Sequence, residues 1–196
     1  MRLPQDAALV LVDLQLAIDD PRWGPRNNPD AEARVAELLA AWRAAAMPIV
    51  HVRHDSAEPK SPYRPGSPGH PFKPEAAPLA GEPVVGKRTG SAFVGGALET
   101  ELDAIGATHL LFAGVLTNNS VEATARHAGD LGYRAFVVED ACWAVDKVDG
   151  SGRVWPAEDV HRLSLANLAG EYAQITTCRA AVEAAQLAAS RRKPGA

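Results

Sequence analysis

Short, continuous apolar runs recur along the chain at 8–12, 48–52, 109–115 and 134–138. Each is rich in β-branched residues and lacks the strict alternation of a half-exposed strand. That is the pattern of strands covered on both faces, as in a parallel sheet. The runs "PVVGK", ending at Lys87, and "AQITT" at 173–177 predict two more strands.

Between these runs the apolar positions change to helical spacing. Asn28-Pro29-Asp30 offers a cap, a proline at the first helical position and an acid in the first turn, and Val35, Leu38, Leu39 and Trp42 then recur along one face. Further helices are predicted over 96–105, ending near Gly106, and from about Asn118 to Gly132. A fourth opens at Trp155-Pro156 and carries Leu163, Leu165 and Leu168; the last is the alanine-rich stretch 179–190. Strand and helix alternate with short links, which predicts one domain over residues 1–196 of the three-layer α/β/α class, with a doubly wound, mostly parallel, Rossmann-type sheet. The proline-dense segment 55–83 breaks the alternation. Its length predicts an ordered loop wrapped over the domain or over a partner subunit.

Composition narrows the function classes. The net charge of −4 gives no attraction for nucleic acid or an anionic membrane, and the basic "RRKPG" near the C-terminus reads as a solvated tail. No apolar run reaches the ~20 residues of a membrane helix, and the opening residues lack a signal-peptide layout, so a cytoplasmic protein is expected. Cys142 and Cys178 form neither a disulfide framework nor a zinc motif.

Ligands of open α/β sheets sit beyond the C-terminal ends of the strands. Those ends deliver Asp13 and Gln15; Arg53, His54 and Asp55; Lys87; Thr117 and Ser120; and Glu139, Asp140 and Trp143. An acid directly after five apolar residues needs a cationic partner, and Lys87, ending another strand, is the natural one for Asp13. Thr117 is read as a helix cap that puts Ser120 in the first turn, where free N–H groups favour negative charge. A thiol there would be activated, whereas a serine needs an adjacent base. His127 is two turns away, and no G-x-S-x-G elbow exists. Cys142 follows a buried strand and reads as an inert core thiol; His51, inside a strand, reads as a core histidine.

The segments "ALVLVDLQLAI", "VVGKRTGSAF", "HLLFAGVLTNNSVEATARHAGDLGYRAFVVEDAC" and "HRLSLANLAGEYAQITT" together resemble the isochorismatase-like (cysteine) hydrolases, in family order and over most of the chain. Gly114, Thr117, Asn118, Val121, Glu122, Thr124, Ala125 and Arg126 fit the family's nucleophile motif, and its cysteine falls on Ser120. The resemblance implies Asp13 as general base and acid, Lys87 as the orienting cation, the N–H groups of Leu116 and Ser120 as oxyanion hole, and a cis Val115–Leu116 peptide. It further implies a cofactor-free amidohydrolase acting on a small amide or ureide, here in a Cys-to-Ser form without its nucleophile. Two alternatives remain open: a vinyl-ether hydrolase needing no nucleophile, and a non-catalytic binding relative. Phe93 and Trp143 are expected to line the pocket and Arg53 to receive a substrate carboxylate. The metal-binding arrangement of the nicotinamidase branch is absent around His51, His54 and Asp55, so no metal is expected. A homodimer or homotetramer is implied by the same resemblance.

Overall fold

The computed structural model describes residues 1–191, and the basic tail beyond residue 191 lies outside them. In chain order the main elements are β1 (Ala8–Val12), α1 (Ala31–Ala44), β2 (Ile49–His54), β3 (Val84–Lys87), α2 (Ala97–Ile105) and β4 (His109–Val115). They continue with α3 (Glu122–Asp130), β5 (Arg134–Trp143), the short β6 (Lys147–Val148) and β7 (Val154–Trp155), α4 (Ala157–Leu168), β8 (Ala173–Thr176) and α5 (Cys178–Ser190). Six strands form one parallel sheet in the order β3-β2-β1-β4-β5-β8.

The central strand explains the layering. On β1, Leu9 and Leu11 join a core with Val35, Leu38, Leu39 and Trp42 of α1 and the alanines 181, 184, 185 and 188 of α5. Ala8, Val10 and Val12 point the other way, into a core with Leu98 and Leu102 of α2, Ala125 of α3 and Leu165 and Leu168 of α4. A strand with apolar residues on both faces must be covered twice, and each fully buried leucine stabilises this sandwich by about 2 kcal/mol. The small α5 residues let that helix lie close against α1.

Several elements differ from the sequence pattern. Strand β2 runs on to His54 because β3 pairs alongside it, with His54 opposite Lys87. Strand β5 extends to Trp143 through a bulge, since Phe112 pairs with Val137 but Gly114 with Cys142. Asn28 does not cap α1. It sits at φ +46, and its side-chain amide donates to the carbonyls of Glu139 (2.9 Å) and Cys142 (2.6 Å), holding that bulge. Asp30 instead precedes the helix. The β6–β7 hairpin was not legible as strands. Asp149 closes it, accepting from the Ser151 N–H at 2.8 Å and the Trp155 indole at 2.9 Å.

The order of the sheet reverses between β1 and β4, with β2 and β3 on one side and β5 and β8 on the other. A crevice opens at such a point, beyond the C-terminal ends of the two strands. The proline-rich loop closes over it within the same chain. Residues 69–73 run beside 14–17, with backbone bonds Leu16 N–H to Pro71 O (2.9 Å), Ala17 N–H to Gly69 O (2.7 Å) and Lys73 N–H to Leu14 O (2.9 Å). Gln15, buried, ties both sides: its amide donates to the carbonyls of His70 and His54 and accepts the His54 N–H. Among the described residues no helix is long and apolar enough to cross a membrane.

Candidate active site

Asp13 follows the last residue of β1 at φ +54, a left-handed conformation that aspartate tolerates better than most residues. Its N–H donates to Val52 O at 2.9 Å, which fixes the turn. Lys87, the last residue of β3, reaches across β2 and donates from Nζ to Asp13 Oδ2 at 2.7 Å. The same ammonium donates to the Thr89 carbonyl at 3.0 Å and to Ser120 Oγ at 3.1 Å. Asp13 and Lys87 are each 4% exposed and Ser120 is 7% exposed. Three residues far apart in sequence thus meet around one nitrogen.

Electrostatically the pair is poised rather than fully relaxed. Burial raises the Asp13 carboxyl above the usual aspartate range, and the Lys87 ammonium beside it works in the other direction. Asp13 Oδ1 is buried with no hydrogen-bond partner among the described residues. The acid therefore has one oxygen held by the cation and one available for a proton or a substrate group.

Ser120 lies on a π-helical turn, Thr117–Val121, that leads from β4 into α3. Thr117 is not a cap. It is buried inside the turn, its hydroxyl 2.8 Å from His161 Nδ1, and its carbonyl accepts from the Ser164 hydroxyl at 3.0 Å. Both partners sit on α4, so that helix holds the turn from behind. Thr124 adds a brace from α3, donating to the Ser120 carbonyl at 2.7 Å while accepting the Ala92 N–H at 3.1 Å. The N–H groups of Asn119 and Val121 bond to the Leu116 carbonyl at 3.0 and 3.2 Å. The Val115–Leu116 peptide bond is cis. Gly114, at φ +130, allows β4 to approach β1 so closely that a Cβ there would overlap the Val12 carbonyl.

A cavity of about 170 Å³ lies in front of Asp13 and Ser120. Ile18, Trp23, Tyr63, Val115 and Leu116 give it an apolar wall, and His54, Ser61, Thr89 and Asn119 add neutral polar groups. Ser61 and Tyr63 come from the proline-rich loop, so the loop covers its own chain's site. Tyr63 meets Trp23 edge-on at 6.3 Å and His54 at 5.6 Å. Burial lowers the His54 imidazole below its usual range, and Asp13 partly counters this. A wider groove of about 510 Å³ begins beyond Ser61 and is lined by Asp19, Asp20, Arg22 and Lys60.

The structure places the other sequence candidates elsewhere. Phe93 packs in the core against His127 and Tyr133, with ring centroids 5.4 and 5.7 Å away, and does not line the cavity. Trp143 is fully buried in the α1-side core and does not line the cavity, with the Arg26 guanidinium stacked 4.1 Å from its ring. Arg53 turns outward to Asp55 at 2.9 Å instead of facing the crevice. Asp55 also takes His70 at 2.7 Å, and His51 pairs with Glu82 at 2.9 Å, so these residues do not converge. Asp140 caps α5 by accepting the Cys178 N–H at 2.7 Å. Cys142 is buried, and desolvation pushes its thiol up to about 12.

Trp23, Ser61, Tyr63, Thr89 and Asn119 were not singled out by sequence. Trp23 and Tyr63 sit in irregular, turn-rich segments without periodicity, where an aromatic residue is the single available signal.

Comparison with known proteins places the chain in a family. The Isochorismatase domain model matches residues 7–180. The isochorismatase family protein YrdC of Bacillus subtilis is 33% identical over 175 residues, covering 89% of this chain and 94% of YrdC. Ureidoacrylate amidohydrolase RutB of Variovorax paradoxus is 30% identical over 175 residues, covering 69% of this chain and 68% of RutB. The crystal structure of an isochorismatase-family protein from Chromobacterium violaceum superposes with a TM-score of 0.92 at 50% identity, covering 95% and 97% of the two chains. With the domain model, matched relatives and superposed fold each covering nearly its whole length, the chain belongs to the isochorismatase family.

Proposed function

We propose that this chain is built to hydrolyse a C–N bond of a small amide or ureide, with position 120 as the point of attack. The observation that carries the reading is the Lys87 ammonium, which joins Asp13 and the Ser120 side chain at one end of a small cavity. RutB, an amidohydrolase by name, supports the same reaction class.

In a cysteine form the steps are these. The Asp13 carboxylate takes the proton of the side chain at 120, whose sulfur attacks the carbonyl carbon. The N–H groups of Leu116 and residue 120 hold the oxyanion, and the start of a helical turn is suited to that task. Asp13 returns its proton to the leaving nitrogen, and the C–N bond breaks. Water then attacks the acyl carbon, giving a proton to Asp13. The C–S bond breaks, Asp13 returns that proton to the sulfur, and the carboxylic acid (a carbamic acid from a ureide) leaves. With serine at 120 the first step is the one impaired, because a hydroxyl ionises far less readily than a thiol. The present form then holds its substrate and turns it over slowly.

Proton transfer without a nucleophile, as in vinyl-ether hydrolysis, is favoured by one observation: the unpartnered Oδ1 on a carboxyl whose pKa is raised. Ser120→Cys and Ser120→Ala separate the two. The amide reading expects S120C to gain at least about 100-fold in amide hydrolysis, with an acyl adduct on residue 120 by mass spectrometry. Turnover of a vinyl ether that is equal in the serine and alanine forms, with no adduct and no amide hydrolysis by S120C, overturns it in favour of the second.

A further inference from the structure

Among the described residues the cavity has no cation to offer a substrate. A lysine ammonium carries three N–H donors, and all three of Lys87 are engaged, by Asp13, Thr89 and Ser120. Arg53 is turned away to Asp55. No described lysine or arginine lines the cavity, and His54 is held neutral by burial. In the outer groove Arg22 is already paired with Asp20 at 3.0 Å and Asp19 is paired with Lys73, while Lys60 lines that groove and not the cavity. The acid on the cavity wall is Asp13, which would repel a substrate anion.

Size acts together with charge. A cavity of about 150 Å³ is known to hold benzene. This one measures about 170 Å³, with Trp23 and Tyr63, packed edge-on against each other, forming part of its wall. The polar groups at hand (His54, Ser61, Thr89 and Asn119) are all neutral hydrogen-bonding partners.

We infer that the site selects uncharged, ring-sized amides or ureides and rejects those bearing a carboxylate, a refinement that rests on the amide reading above. A carboxylate in this cavity would be desolvated beside Asp13 with no unpaired counter-charge, since the Lys87 donors are already taken.

The full-length serine form, binding without rapid turnover, allows a direct test by calorimetry at pH 7.5. The probes are benzamide, 3-carbamoylbenzoate and its methyl ester. The ester is larger than the acid but uncharged, so charge and size are separated. Benzamide and the ester are expected to bind, the ester at least about 30-fold tighter than the acid. Equal affinity of acid and ester overturns the inference, as does exclusion of both by size or undetectable benzamide binding at millimolar concentration. Asn119 is exposed at the mouth of the cavity, so Asn119→Arg and Asn119→Asp supply opposite charges at one tolerant position. The arginine form is expected to bind the acid at least about 10-fold tighter than the aspartate form; identical values overturn the assignment to this cavity. Hydrolysis by S120C is read separately. A variant that shows the binding ratio but cleaves no amide removes the reaction and leaves the selectivity. One that cleaves 3-carbamoylbenzoate faster than benzamide removes the selectivity and leaves the reaction.

Discussion

Replacing Lys87 by methionine keeps the apolar stem and deletes the ammonium. Asp13 would then be buried without its cation, since Oδ1 already lacks a partner and the Lys87 ammonium holds Oδ2 at 2.7 Å, leaving only the neutral Ser120 hydroxyl nearby. Removing one member of a buried pair costs about 3–5 kcal/mol, which is much of the stability of an ordinary domain. With a urea m-value of about 2 kcal/mol/M, the midpoint falls by roughly 2 M. The loss has a pH signature. Burial raises the folded carboxyl above its unfolded value near 4, so between those values the native state holds more protons than the unfolded state. Stability in that window therefore falls as pH rises. Without the opposing ammonium the folded value climbs further, and the slope extends to higher pH. Urea titrations followed by tryptophan fluorescence at pH 5.5 and 8.5 are expected to show the larger deficit at 8.5. The double variant D13N/K87M, which removes both charges together, should recover to within about 1–2 kcal/mol of the parent. A K87M deficit under about 1 kcal/mol, or one equal at both pH values, would refute the buried-pair reasoning.

Other expectations follow from the packing around the site. Gly114→Ala places a Cβ against Val12 O at φ +130 and should cost about 3 kcal/mol or more, a fall of roughly 6–12 °C in melting temperature by calorimetry. Thr117→Val strips His161 Nδ1 of its partner and should cost about 1–3 kcal/mol in chemical denaturation; an unchanged midpoint would mean that α4 does not brace the turn. Burial pushes Cys142 and Cys178 up to about 12, so neither should react with a disulfide reagent at pH 8 until the chain is unfolded, whereas S120C should react in the native state. Burial works to raise the Glu32 carboxyl, but its hydrogen bonds with Arg26 and the neighbouring Lys73 prevail and hold it at about 2. Its contribution is therefore present above the unfolded value near 4.5 and is lost as pH falls toward 2. Glu32→Gln should flatten that part of the stability profile, measured by urea midpoints from pH 5 down to 2.5.

The strands and the Asp13–Lys87 pairing were legible because each depends on a local rule. Five apolar residues ending in an acid imply a buried strand and a cationic partner, and Lys87 ends a strand that pairs next to β2. Thr117 misled because a threonine before a helix is usually a cap. Here the chain makes a π-helical turn, and α4, more than 40 residues later, takes the threonine hydroxyl. Phe93, Trp143 and Arg53 misled for a related reason: proximity to a strand end does not decide which way a side chain turns. The register jump in β5 carries Trp143 to the α1 side, and Asp55 captures Arg53 two residues later in the chain. The aromatic wall was invisible because Tyr63 is placed by the path of a proline-rich loop with no period to read.

The fold and the chemistry constrain one another at Lys87. An ammonium with three fixed acceptors is a rigid cation, and on the amide reading that rigidity would let it support charge developing on Asp13 or on residue 120 without reorganising. The same saturation removes it from substrate recognition. Specificity must then come from the surrounding wall, which is aromatic and neutral and is partly supplied by the loop that seals the crevice. On the amide reading, a cysteine at position 120 is expected to keep this frame, because Thr124 fixes the backbone at that residue whichever atom the side chain carries. What changes is the ease of removing the proton, a property of one atom. The surrounding order is therefore expected to survive in a form whose first chemical step is slow, which makes the serine chain suited to measuring which molecules the cavity admits.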